Sequence, residues 1–156
     1  MPLTLTLDDF DRQILRLVQV DATISTQDLA DRVGLSASPC WRRLKRMQDA
    51  GLILGQVAML SPRVLGLQAV AYLSISLIDH SEATIARFDA FVKAHDQVVE
   101  CATITGSADY LLKVFAADPE ALERFIMREL LALGVVRATN TALVLRQTKY
   151  TTALPV

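Results

Sequence analysis

Two short amphipathic runs, one ending at Val33 and one beginning near Ser36, are separated only by Gly34-Leu35-Ser36, so any helices they form must cross steeply. The run before this junction opens at Ser25-Thr26-Gln27-Asp28, which has capping-box spacing with Asp where Glu is usual, and carries Leu29, Ala30 and Val33 on one stripe. The run after it can be capped by Ser36, tolerates Pro39 in its first turn and continues to Ala50 before Gly51. A third helix precedes both, because Phe10, Ile14, Leu17 and Val18 recur at helical spacing behind Asp8 and Asp9, which suit the positive end of a helix dipole. Three helices around so tight a junction predict a helix-turn-helix.

Advancing about 100° per residue places Cys40, Leu44, Met47 and Gln48 on one arc of the last helix and Ser38, Arg42, Lys45 and Arg46 on the opposite one. One face packs and the other is cationic. Trp41, at the edge of the apolar arc, is expected to pack. The formal net charge of the whole chain is -1 and its pI about 6.1, which excludes a global basic field, so any nucleic-acid contact must come from such a local patch.

After Gly51, Leu52-Ile53-Leu54 and Val57-Ala58-Met59-Leu60 read as extended segments leading to a turn at Ser61-Pro62, the expected boundary between domains at 1–60 and 61–156. From Gln68, Ala71, Leu73, Ile75 and Leu77 alternate with Val70, Tyr72, Ser74 and Ser76, the period of a two-faced strand. Ser81 opens a helix with Ile85, Phe88 and Val92 on one side. Val98 to Thr105 and Tyr110 to Ala116 read as strands joined by the hairpin residues Gly106-Ser107-Ala108-Asp109. Pro119 starts a helix that buries Leu122, Phe125, Ile126 and Leu130, and Thr139 to Leu145 is a last strand. The fold class is therefore α+β, a helix-turn-helix followed by a ferredoxin-like βαββαβ domain with both helices on one face of the sheet. The other face, carrying Val70 and Tyr72, needs a partner, and a mean hydropathy of +0.33 also predicts a homo-oligomer.

The most apolar stretch, Val64 to Ile78, is broken by Gly66, Gln68, Ser74 and Ser76 and falls short of the roughly 20 residues that span a bilayer. No membrane segment is expected, and the N-terminus has no secretory pattern, so the expected location is the cytoplasm. Cys40 and Cys101 lack metal-like spacing and read as buried free thiols, while His80 and His95 read as solvent-facing turn residues. No Ser/His/Asp set, metal-ligand cluster or phosphate-cradling glycine loop stands out, so neither a catalytic residue nor a metal nor a cofactor is expected.

Four segments carry a resemblance that covers Leu7 to about Thr152: Leu7-Asp8-Asp9-Phe10-Asp11-Arg12-Gln13-Ile14-Leu15, Leu35-Ser36-Ala37-Ser38-Pro39-Cys40-Trp41-Arg42-Arg43-Leu44, Ala50-Gly51-Leu52-Ile53 and Thr105-Gly106-Ser107-Ala108-Asp109-Tyr110-Leu111-Leu112-Lys113-Val114. The chain resembles the Lrp/AsnC, or feast/famine, family of transcriptional regulators. That resemblance implies a winged-helix-like DNA-binding domain, dimers that build up to octamers, and modulation by an amino acid or related metabolite held at subunit interfaces. Ala102 departs from the family's habit of a larger side chain near the effector region.

Under this reading the partner is double-stranded DNA carrying a roughly palindromic operator. Ser38 and Arg42 are expected at base edges, Arg43, Lys45 and Arg46 at phosphates, with Ser36 and Pro39 at the start of the same helix completing the surface. For the effector, Asp109 would accept from an ammonium and the N–H groups of Gly106, Ser107 and Ala108 would receive a carboxylate, although spacing alone describes a plain hairpin turn. The resemblance adds Thr103, Thr105, Tyr110, Thr139 and Thr141 as lining residues. Two rival readings are a siroheme decarboxylase subunit, whose His- and Arg-rich segments are missing at Glu100-Cys101-Ala102-Thr103 and Ala108-Asp109-Tyr110-Leu111, and an architectural DNA-binding protein without an effector.

Overall fold

The computed structural model describes residues 5–156, which group into two compact units. One runs up to Met59 and takes in Lys149–Val156; the other is Leu60–Thr148. The expected boundary at 60/61 therefore shifts by one residue, and the last eight residues leave the expected second domain, because Gln19 exchanges hydrogen bonds with the Leu154 backbone at 3.2 and 2.6 Å.

The first unit holds α1 (Asp9–Val18), α2 (Thr26–Val33) and α3 (Ala37–Asp49). The reciprocal capping box belongs to α1: Asp8 accepts from the Asp11 N–H at 2.9 Å and Asp11 accepts from the Asp8 N–H at 3.1 Å. At α2 only one half forms, with Ser25 Oγ accepting from the Asp28 N–H. Gly34 ends α2 in the left-handed region at φ 72°, which lets the Leu35 N–H turn back to the Ala30 carbonyl at 2.9 Å. That closure makes the junction tight. The Ser36 side chain makes no capping bond to α3. Ile14, Leu15, Leu29, Ala30, Val33, Cys40 and Met47 form the core. Residues 52–60, read as extended segments, join no strand ladder.

The second unit follows the order β1 (Ala69–Leu77), α4 (Glu82–Ala94), β2 (Val98–Thr103), β3 (Tyr110–Ala116), α5 (Pro119–Arg124) and β4 (Val136–Leu143), in an antiparallel sheet ordered β2-β3-β1-β4. Alternation decides which side is dry: Ala69, Ala71, Leu73, Ile75 and Leu77 of β1 and Leu112 and Val114 of β3 pack with Phe88, Phe91, Leu122, Phe125 and Leu130. After Arg124 the backbone widens into a π-helical stretch, Phe125–Leu130, and then tightens into a 3₁₀ turn, Leu131–Leu133, so the expected helix is one continuous path with three pitches. The last strand starts and ends earlier than the expected Thr139 to Leu145, because Val136 already pairs with Leu77.

On the open face of the sheet, Val70, Tyr72, Ser74 and Ser76 of β1 alternate with the core residues. Lys113 of β3 shares this face with Phe115, its ammonium 6.0 Å from the Tyr72 ring centre and 5.6 Å from that of Phe115. Two cysteine and histidine expectations change. Cys40 is buried, but Cys101 is exposed because β2 is an edge strand. His95 is half-buried, its ring 3.9 Å from that of Phe91, with Nδ1 donating to the Phe91 carbonyl at 2.6 Å and Nε2 3.2 Å from Glu129.

Candidate functional site

The cations of α3 divide into two sets. Asp11 on α1 is fully buried and accepts from Arg43 at 2.9 Å and from Arg46 at 2.6 Å, while Arg43 also reaches Asp8 at 2.6 Å. The Arg43 guanidinium lies 5.5 Å from the centre of the Phe10 ring. This geometry raises the Arg43 pKa further, first through Asp8 and then through Asp11, and the Asp8 carboxyl is held below its usual range by the Asp11 N–H and then by Arg43. The arginines expected at phosphates are thus seated on α1 carboxylates. A wheel of about 100° per residue puts Arg43 and Arg46 on one shoulder of the helix.

The outward surface comprises Ser38, Arg42 and Lys45, all exposed, with exposed Ser36 and half-buried Pro39 at the helix start. Lys45 leans on Asp49 one turn later at 2.7 Å, an exposed pair that costs little to open. Cys40 and Met47 point inward, and burial pushes the Cys40 thiol up. Trp41 departs from expectation. It is 54% exposed, since the inward arc is already filled by Cys40, Leu44 and Met47. Ser38, Arg42 and Lys45 therefore make an uninterrupted polar, cationic ridge, with an indole beside it.

The second candidate site surrounds the turn between β2 and β3. Gly106 has φ 123°, a conformation that favours glycine, while nothing stands within 4 Å of where a Cβ would be. Thr105, Gly106 and Ser107 are exposed, and Ala108, Asp109 and Tyr110 are half-buried. The Asp109 carboxylate is occupied within the chain: Oδ2 accepts from the Leu77 N–H at 2.8 Å and Oδ1 lies 2.9 Å from His80 Nε2. Contact with His80, then the Leu77 N–H, holds its pKa below the usual carboxylate range. Its backbone is tied too, with the Asp109 N–H on the Ile75 carbonyl at 2.8 Å. Asp109 thus anchors the turn to β1 rather than presenting a bare carboxylate.

Sheet order separates the candidate hydroxyls. Thr103 is on β2 and pairs with Tyr110, while Thr139 and Thr141 are on β4 and pair with Ile75 and Leu73. Because β2 and β4 are the two edges, three strand spacings of about 4.8 Å, or roughly 14 Å, lie between them. The Thr139 hydroxyl is buried without a hydrogen-bond partner among the described residues. The Arg43–Asp11 and His80–Asp109 pairs join residues that local spacing does not connect; the acidic start of α1 and the cations of α3 are the sequence signal for the first of them.

Family models match both units: winged helix-turn-helix DNA-binding over residues 7–53 and the Lrp/AsnC ligand binding domain over residues 70–154. The chain is 37% identical over 150 residues to the DNA-binding transcriptional activator DecR of Escherichia coli K12, covering 96% of this chain and 99% of that one. It is 39% identical over 145 residues to the proline dehydrogenase transcriptional activator of Rhizobium radiobacter, covering 93% of each. Among solved structures, a transcriptional regulator of Neisseria meningitidis in complex with L-Met superposes with a TM-score of 0.93 at 36% identity, over 96% of this chain and 97% of that one.

Proposed function

Because the chain belongs to the Lrp/AsnC family of transcriptional regulators, we propose that it is a sequence-specific DNA-binding regulator that reads its operator with α3 and is modulated by an amino acid bound on the ferredoxin-like unit. The observation that carries this reading is the exposed ridge of Ser38, Arg42 and Lys45 on the second helix of a tight helix-turn-helix. Ser38 and Arg42 face base edges, and Lys45, released from Asp49, faces a phosphate. Ser36 and Pro39 bring the start of α3 against the backbone of the duplex. Arg43 acts through Asp8 and Asp11 as a brace. Arg46 is shared, since Asp11 takes one end of its guanidinium and the remaining donors are free to meet a phosphate. Two copies related by a two-fold axis would bind a roughly palindromic site, and the open face of the sheet, with Val70, Tyr72 and Phe115, is the surface on which they pair.

The effector is placed at the β2–β3 turn, where the N–H groups of Gly106, Ser107 and Ala108 receive a carboxylate and Thr103, Thr105 and Tyr110 flank it. Thr139 and Thr141, on the far edge, join such a pocket only from a second subunit. An effector held between copies fits that separation, and the Neisseria meningitidis relative with L-Met supports an amino acid as the class. A regulator of this kind acts on DNA in the cytoplasm and performs no catalysis; no helix among the described residues is long and apolar enough to cross a membrane.

The test is binding by the full chain to a duplex enriched from a randomised pool, followed by fluorescence anisotropy across salt concentrations. Affinity falls steeply with salt. Arg42→Ala loses about 1 to 3 kcal/mol on the enriched duplex and relaxes the preference at one position of each half-site. Equal weakening on every sequence would remove Arg42 from the base edges.

A further inference from the structure

Trp41 is the single tryptophan of the chain, and it is more than half exposed on the helix that carries the cationic ridge. Its place on that helix is informative. At about 100° per residue it lies about 40° from Lys45 and about 60° from Ser38, on the shoulder opposite the one where Arg43 and Arg46 hold Asp11. One shoulder of α3 is thus committed to α1, the inward arc is filled by Cys40, Leu44 and Met47, and the indole borders the polar ridge. A large apolar ring on such a surface has found no burial within its own unit.

A duplex has a matching feature. Base edges in the major groove present donors and acceptors for Ser38 and Arg42, and the one apolar group that projects there is the thymine C5-methyl. An aromatic wedge that unstacks bases works from the minor groove instead, where a recognition helix does not lie. Resting on the reading of α3 as the duplex-facing helix, we propose that Trp41 is a specificity residue that packs its indole against thymine methyl groups beside the bases read by Ser38 and Arg42. It selects T over C and over A or G at that position without donating or accepting a hydrogen bond.

The experiment uses the duplex enriched by the wild-type chain and the same duplex with 2′-deoxyuridine in place of thymine, which keeps every hydrogen-bonding group and removes only the methyls. Wild type is expected to bind the uridine duplex more weakly by about fourfold for each methyl contacted. Trp41→Ala is expected to lose a similar factor on the thymine duplex and to bind both duplexes alike, while Trp41→Phe keeps part of the preference. Emission from the single tryptophan is expected to change on binding the thymine duplex, and to change less on the uridine duplex. A wild-type chain indifferent to the methyls, or a Trp41→Ala chain that keeps the full thymine preference, overturns the proposal while leaving the DNA reading intact. Failure of the wild type to enrich any duplex overturns both.

Discussion

Replacing Asp11 tests whether the position of α3 depends on a buried charge. The Asp11 side chain is 1% exposed and accepts three hydrogen bonds, from the Asp8 N–H, Arg43 and Arg46. Breaking a fully buried ion pair from one side costs about 3 to 5 kcal/mol, but here the arginine side chains are 28% and 48% exposed, so water takes over part of what Asp11 supplied. Discounted for that screening, each arginine contact is worth about 0.5 to 1 kcal/mol. The backbone N–H contact adds about 1 kcal/mol, so Asp11→Ala should destabilise the first unit by about 2 to 3 kcal/mol. For a unit of this size that lowers the thermal midpoint by about 10 °C or more. Urea unfolding followed by Trp41 emission reads this unit alone. Double-mutant cycles with Arg43→Ala and Arg46→Ala should return couplings of about 0.5 to 1 kcal/mol each. A loss below about 0.5 kcal/mol for Asp11→Ala, or cycles that sum to zero, would show that the arginines are ordinary surface cations and that α3 is placed by apolar packing alone.

Asp109 makes a prediction about pH. Its folded pKa lies below the usual 3.8, so its contribution to stability is present above about pH 4 and is lost as pH falls through the lower folded value. Asp109→Asn should therefore melt below wild type at pH 7, with the gap narrowing once pH falls below 3.8 and through the lowered folded pKa; no gap at pH 7 would deny Asp109 an anchoring role. A thermal-shift screen of the full chain over the amino acids addresses the effector, since a ligand at 100 times its Kd that binds only folded protein adds about 2.7 kcal/mol of stability. At least one amino acid, with L-methionine the first to try, should raise the midpoint by several degrees, and no shift with any of them would leave a regulator without an amino-acid effector.

Elements that announce themselves by local period were legible: the three helices around Gly34, and the βαββαβ order from the alternation of Ala71, Leu73, Ile75 and Leu77 with the residues between them. The ferredoxin-like plan also implied what the structure displays about Thr103 and Thr139, because the second and fourth strands of that order are the two sheet edges. What local period could not show was which charges are already spoken for. A wheel counts Arg42, Arg43, Lys45 and Arg46 as one cationic set, but the partners that divide it, Asp8 and Asp11, stand 32 to 35 residues earlier on another helix. Trp41 illustrates the same limit from the apolar side. Its residue type predicted packing, yet whether a shoulder position is covered depends on how far the neighbouring helix reaches, and here α1 covers the Arg43 shoulder and leaves the Trp41 shoulder bare. The asymmetry has a physical cause in the capping box: by turning its own start into two carboxylates, α1 engages the Arg43 and Arg46 side of α3 and leaves the Ser38, Arg42 and Lys45 side exposed.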